Sequence, residues 1–291
     1  MKIFVTGASG FIGAAVTAEL IHAGHEVIGL ARSDKSAAAL AKAGAIPLRG
    51  SLEDLDRLKK GASESDGVIN LGFNHDFSQF GAAVQVEAQA IEVMGEVLKG
   101  TDHPLVIASG GPTLSEKFGE GVSLNPREAT ARKVLALAQQ NVRSAVVRLP
   151  PTVHDETKFG FVSTLVELAR RTGVSGYIGD GSNRWCSVHR LDAAHLFCLA
   201  LEKAPAGAVL QGVGDQGIPL KEIAAKIGAR LNLPVRPIAD EDVEKHFGFV
   251  GRIARADIPA SSALTQKLLG WQPTHPGLLE DLDNSHLFDK P

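Results

Sequence analysis

The stretch that most constrains this chain is a short apolar run closed by three glycines, Lys2-Ile3-Phe4-Val5-Thr6-Gly7-Ala8-Ser9-Gly10-Phe11-Ile12-Gly13. An unbroken apolar run this short, Ile3-Phe4-Val5, suits a strand buried on both faces, as in a parallel sheet. The glycines follow at the spacing G-x-x-G-x-x-G. Gly7 permits a tight turn, Gly10 lets backbone approach a diphosphate, and Gly13 lets the next helix pack close to the strand. Phe11 to Ala23 carries a helical apolar period, and Gly24 ends it. The free amides opening that helix favour an anion. Strand, glycine turn and helix in this order predict a dinucleotide site, with Gly7, Ser9, Gly10, Phe11, Ile12 and Gly13 around the diphosphate.

The alternation continues. Glu26 to Ala31 reads as a second strand, Ala37 to Ala43 as a helix, Ile46 to Leu48 as a third strand and Val68 to Leu71 as a fourth. Val84 to Leu98 and Arg127 to Gln140 read as helices, Leu105 to Ala108 and Ala145 to Val147 as strands five and six. Strands alternating with helices predict an α/β fold with a doubly wound parallel sheet, whose ligands bind beyond the carboxyl ends of the strands. The glycines, Arg32, Leu52, Gly72-Phe73, Ser109 and Pro150 would line that edge. NAD-binding folds often place a ribose-binding carboxylate after the second strand. Here Arg32-Ser33 stands there, a guanidinium and a hydroxyl that suit a 2′-phosphate, with Asp34 as a rival. The cofactor expected is therefore NADP(H), with NAD(H) as the alternative.

Beyond Pro151 the pattern changes. Phe159 to Arg171 reads as a helix, Gly173 to Asn183 as a glycine-rich loop, and Leu191 to Leu201 as an apolar helix opened by Asp192 as N-cap or first-turn carboxylate. From Leu220 onward come short helices broken by prolines. The expected organisation is a dinucleotide-binding unit over 1–153 and 186–213, with a smaller substrate-covering lobe over 154–185 and 214–291. Trp271 is expected to pack within that lobe. A formal charge of −3 over 291 residues offers no basic field for nucleic acid or membrane. No apolar run is long enough for a bilayer, no signal segment precedes the first strand, and two cysteines make no disulfide framework. The expectation is a cytoplasmic protein, a monomer or homodimer, with a small-molecule substrate. Cys186 and Cys198 read as buried small side chains, and no metal-ligand spacing is visible.

Several further motifs stand in order. Thr6-Gly7-Ala8-Ser9-Gly10-Phe11-Ile12-Gly13 resembles T-G-x-x-G-x-x-G of the extended short-chain dehydrogenase/reductases, the group of the NAD(P)-dependent epimerase/dehydratases. Gly50-Ser51-Leu52 is similar to its adenine-contacting G-D-L, with Ser51 for the aspartate. Asp66 to Gly72 resembles D-x-V-I-H-L-A. Arg148 to His154 resembles R-P-x-x-V-Y-G beside the nicotinamide, and Val188 to Asp192 resembles V-H-V-D-D. Leu269-Gly270-Trp271-Gln272-Pro273 resembles L-G-W-x-P. The resemblance implies a Rossmann-type fold and cofactor contacts from Arg32, Ser33, Ser51, Leu52, Leu71, Gly72, Phe73, Ser109, Pro150 and Val153.

The group's catalytic Tyr-x-x-x-Lys has no counterpart. The single tyrosine is Tyr177, and Gly181 stands four residues on; the usual tyrosine position falls near Arg127 and the lysine near Ala131. Reducing a ketone builds an alkoxide that needs an acid. Candidate donors are Tyr177, His154, Ser109 and Thr113, with His75, Trp185 and His189 lining a substrate pocket. The expected activity is an NADPH-preferring oxidoreductase acting on a small carbonyl, enone or imine. The alternatives are a non-catalytic NADP(H)-binding sensor and a sugar-nucleotide epimerase or dehydratase.

Overall fold

A computed structural model describes residues 1–76, 79–110, 126–157 and 160–288. Seven strands form the central sheet: β1 (Lys2–Thr6), β2 (Glu26–Ala31), β3 (Ile46–Arg49), β4 (Gly67–Asn70), β5 (Pro104–Gly110), β6 (Arg143–Leu149) and β10 (Ala208–Gln211). Their order is β10-β6-β5-β4-β1-β2-β3, and every pairing is parallel. The order reverses between β1 and β4, which opens a crevice at their carboxyl ends. Helices α1 (Phe11–His22), α2 (Asp34–Lys42) and α7 (Arg190–Lys203) lie on one face. Helices α3 (Leu55–Ser63), α4 (Phe80–Leu98) and α5 (Glu128–Ala136) lie on the other.

The alternation of β1 explains the two layers. Ile3 and Val5 pack with Leu20 and Phe197 on one face, whereas Phe4 packs with Leu58, Met94 and Val134 on the other. All three are fully buried, as a central parallel strand demands. Trp271 belongs to the first of these cores, not to the smaller lobe as expected, and its Nε1 donates to the Asp192 carbonyl at 3.0 Å. A burial requirement reads the same in sequence whichever core satisfies it.

A second core gathers α6 (Phe161–Thr172), β8 (Ser175–Ile178), α8 (Leu220–Leu231), α9 (Val243–Phe247), α10 (Gly251–Ala254) and α12 (Leu278–Asn284). Between the cores runs a three-stranded sheet in the order β11-β9-β7, from β7 (Thr152–His154), β9 (Arg184–His189) and β11 (Asp215–Pro219). The Gly173–Asn183 stretch, expected as a loop, contains β8, which pairs in parallel with β12 (Val235–Ile238). Glycine punctuation hid a strand whose partner lies about sixty residues away in the chain. Helix α11 (Ala263–Leu269) packs near β10 and α7. Among the described residues, no helix is long and apolar enough to cross a membrane.

Candidate functional site

The glycine turn behaves as its spacing predicts. Gly7 has φ +66°, and a Cβ there would lie 2.8 Å from the backbone of Leu71 and Gly72. A Cβ on Gly13 would lie 2.0 Å from the Gly7 carbonyl oxygen, so only glycine lets α1 approach β1 this closely. Gly10 differs: an added Cβ would meet only the Gly7 oxygen, at 3.1 Å. The space beside Gly10 is open, and Ser9 and Gly10 are exposed at the start of α1. An open backbone at a helix N-terminus fits a dinucleotide diphosphate. Phe11 and Ile12 turn inward against the first core, and the Arg190 guanidinium lies 4.8 Å from the Phe11 ring centroid.

At the carboxyl end of β2, Arg32 is exposed. Arg57 packs over Gly50, just beyond β3: a Cβ on Gly50 would lie 3.0 Å from its Cβ. Arg49 ends β3 and sits 3.2 Å from Asp34, the rival residue, whose side chain is fully exposed. Ser33 serves as N-cap of α2, its hydroxyl accepting from the Ser36 amide at 3.2 Å. Ser51 accepts from the Glu53 amide at 3.3 Å, and this turn places Glu53 within the field of Arg32. Hydrogen bonding to Ser51, helped by Arg32, holds the Glu53 carboxyl below its ordinary range. Leu52 packs against the position of Gly72, where a Cβ would come 2.9 Å from its Cδ2.

The ends of β4, β5 and β6 carry a buried polar layer. Thr6 donates to Asn70 at 2.6 Å and accepts from the Gly72 amide at 3.1 Å, fixing the Leu71-Gly72-Phe73 turn. Arg127, at the position expected for the family tyrosine, precedes α5. Its Nε donates to Glu87 at 2.7 Å, its Nη2 donates to the Ala108 carbonyl at 2.8 Å, and its guanidinium stacks 4.5 Å over the Phe73 ring. Glu87 is itself buried in α4, and burial lifts its carboxyl above the ordinary value against the pull of Arg127. A second buried pair joins Arg148 to Glu128 at 2.8 Å. Asn70 Nδ2 and Ser109 Oγ are buried without partners among the described residues. Polar atoms left over at this edge fit a bound polar molecule. Pro150 and Val153 are buried just beyond β6, and exposed His75 packs edge-on against Phe73 at 5.3 Å. Thr113 lies outside the described residues.

The histidines form a separate constellation. His154, fully buried in β7, lies with Nδ1 2.7 Å from Asp281 Oδ2 on α12. His189, at the end of β9, accepts from the Leu191 amide at Nδ1 and so caps α7, while Asp192 is the carboxylate of the first turn, the second of the two roles expected of it. The His189 ring meets His154 edge-on at 5.6 Å and stacks on His275 at 4.7 Å. Asp192 accepts from the amides of Thr274 and His275 and lies 2.7 Å from His275 Nδ1, tying the chain after Trp271 to α7. Burial pushes the His154 imidazole down to about 4, and burial pushes the Asp281 carboxyl up to about 6. Neutral His154 therefore presents Nδ1–H to Asp281 and is a weak base at Nε2 near neutrality. Asp281 had no sequence signal, since it lies 127 residues from its partner.

Two expected pocket or donor residues are core residues instead. Trp185 is fully buried in the second core and donates Nε1 to the Ile253 carbonyl at 3.1 Å. Tyr177, in β8, is buried in the same core, with Lys221 Nζ 5.7 Å from its ring centroid. Both cysteines are buried as expected, and desolvation pushes each thiol up to about 12.

Comparisons with known proteins bear on the family and the fold. The model of the NAD dependent epimerase/dehydratase family matches residues 3–106. An uncharacterized protein of Schizosaccharomyces pombe is 48% identical over 295 residues, covering 99% of this chain and 100% of its own length. Another, of Saccharomyces cerevisiae, is 47% identical over 291 residues, covering 97% and 98%. The solved structure of MoeE5 in complex with UDP-glucuronic acid and NAD superposes with a TM-score of 0.74 at 21% identity, covering 99% of this chain and 98% of that one. At that identity the likeness is one of fold.

Proposed function

Since the chain belongs to the NAD dependent epimerase/dehydratase family, we propose that it is an NADPH-preferring oxidoreductase acting on a small carbonyl, enone or imine. The observation that carries the preference is exposed Arg32 at the end of β2, where many dinucleotide folds hold a ribose-binding carboxylate. A 2′-phosphate meets a guanidinium there, whereas Asp34 and Glu53, the neighbouring carboxylates, are exposed. The bound nicotinamide supplies or accepts the hydride. Gly7, Gly10 and Gly13 hold the diphosphate, Leu52 and Gly72 shape the adenine side, and Ser109 and Asn70 offer donors at the strand ends.

The Arg127 position weighs on the choice of substrate. A guanidinium stays protonated at every working pH, so it cannot donate a proton as a phenol does. Tied to Glu87 and Ala108, it instead fixes the Phe73 ring. With no phenol at this position, the site suits an acceptor that needs no side-chain acid there, such as an enone or an already protonated imine. The test is calorimetric titration of NADPH and NADH into the wild type and Arg32→Ala. NADPH should weaken by about ten-fold or more and NADH little, since one charge-assisted bond is worth roughly 1.5–3 kcal/mol. Equal losses would overturn the preference. Consumption of NADPH across a carbonyl, enone and imine panel tests turnover; tight binding without consumption would point to a sensor.

A further inference from the structure

Two groups of metal-ligating side chains come together among the described residues. In the first, His189, Asp192 and His275, the carboxylate already accepts two backbone amides and contacts the His275 imidazole. Its lone pairs are committed to holding the chain in place. The second lies away from the cofactor edge, where the turn before the amino end of β2 meets α7. There His25 Nε2 is 3.0 Å from Glu202 Oε1, and Cys198 Sγ is 3.9 Å from the same oxygen. Cys198 and Glu202 are four residues apart, so they share a face of α7. His195, three residues earlier, shares that face and lies 2.7 Å from Glu19 of α1.

We propose that His25, Cys198 and Glu202 form a binding site for a divalent cation of the zinc class, with water completing a tetrahedron. Thiolate and imidazole ligands select a borderline-soft metal over magnesium or calcium, which take oxygen ligands. Zinc bonds of about 2.0–2.3 Å place ligand atoms roughly 3.3–3.6 Å apart in a tetrahedron. The three ligand atoms already lie within 4.8 Å of one another, so closure needs shifts on the order of 1 Å. Glu202 is part-exposed while His25 is 9% exposed and Cys198 is buried, which gives the ion a route in and a dry inner wall. Glu19, near enough to act on Cys198, adds negative charge behind the site, paired to His195 as an outer partner. On binding, a metal–sulfur bond replaces the S–H bond and the proton leaves to solvent; nothing is oxidised or reduced. The ion would clamp the α1–β2 turn to α7.

The test uses the full chain, without a histidine tag and stripped by chelation, titrated with Co²⁺ and then Zn²⁺. One equivalent of Co²⁺ should give a thiolate charge-transfer band with tetrahedral d–d absorption, and Zn²⁺ should bleach both. Cys198→Ala should abolish the band, and Glu202→Gln, at a part-exposed position, should weaken Co²⁺ by roughly ten-fold or more. Circular dichroism confirms that each variant is folded. No band at one equivalent in the wild type, or a band that survives Cys198→Ala and so belongs to Cys186, would overturn the proposal.

Discussion

Gly13→Ala and Gly10→Val should fail for different reasons, because the two glycines meet different surroundings. A Cβ on residue 13 would lie 2.0 Å from Gly7 O, 2.8 Å from Gly7 C and 3.0 Å from Ala8 Cα, all of them backbone atoms. No rotamer relieves such a contact, so α1 must move off β1 by on the order of 1 Å. Overpacking of this kind costs about 1–3 kcal/mol and sometimes more. Alanine returns up to about 1 kcal/mol of helix propensity. The expected net loss is about 2 kcal/mol or more, a fall in Tm of roughly 4 °C or more for a chain this long. Gly10 has φ −76° and ψ 177°, a conformation open to any residue, and its added Cβ meets one atom at 3.1 Å. Replacing glycine at this N-cap costs at most about 1 kcal/mol. Gly10→Val should therefore keep its Tm within about 2 °C while losing NADPH affinity by at least ten-fold or so, because the branched side chain fills the anion's space. Thermal unfolding by circular dichroism and calorimetric titration read the two quantities separately. A wild-type Tm for Gly13→Ala would refute the packing argument, and unchanged affinity in folded Gly10→Val would refute the phosphate site.

The His154–Asp281 pair predicts a pH signature. His154 is held at about 4 against 6.5 for a free imidazole, so the unfolded chain alone takes up that proton and stability falls as pH drops from about 6.5 to 4. Asp281 is raised to about 6 from 3.8, so the folded chain holds its proton more tightly and stability rises as pH drops through that window. The slopes oppose in the wild type; Asp281→Asn leaves the histidine's, and its urea midpoint should fall more steeply from pH 7 to pH 5. A profile parallel to the wild type would refute the raised carboxyl. With both thiols held up at about 12, neither Cys186 nor Cys198 should react with iodoacetamide at pH 8 in the native, metal-free protein, and both should react once unfolded; native modification of either would show that its burial is incomplete.

Local chemistry determined the cofactor half of this protein. Ile3-Phe4-Val5, the three glycines and the alternation after them announce a buried parallel strand and a phosphate turn by a pattern held in neighbouring residues, which a sequence displays directly. The same holds for Arg32 at the end of β2 and for the burial of both cysteines. Tertiary structure alone decided what depends on distant partners. Tyr177 lies in a strand because β12 pairs with it, Trp185 and Trp271 went to opposite cores, and His154 found its carboxylate on α12. His25 met Cys198 and Glu202 only through the packing of α1 on α7, so no spacing along the chain announced that group. Periodicity reports that a side chain needs burial or a polar partner; which element supplies it is settled by packing, where many weak contacts act at once.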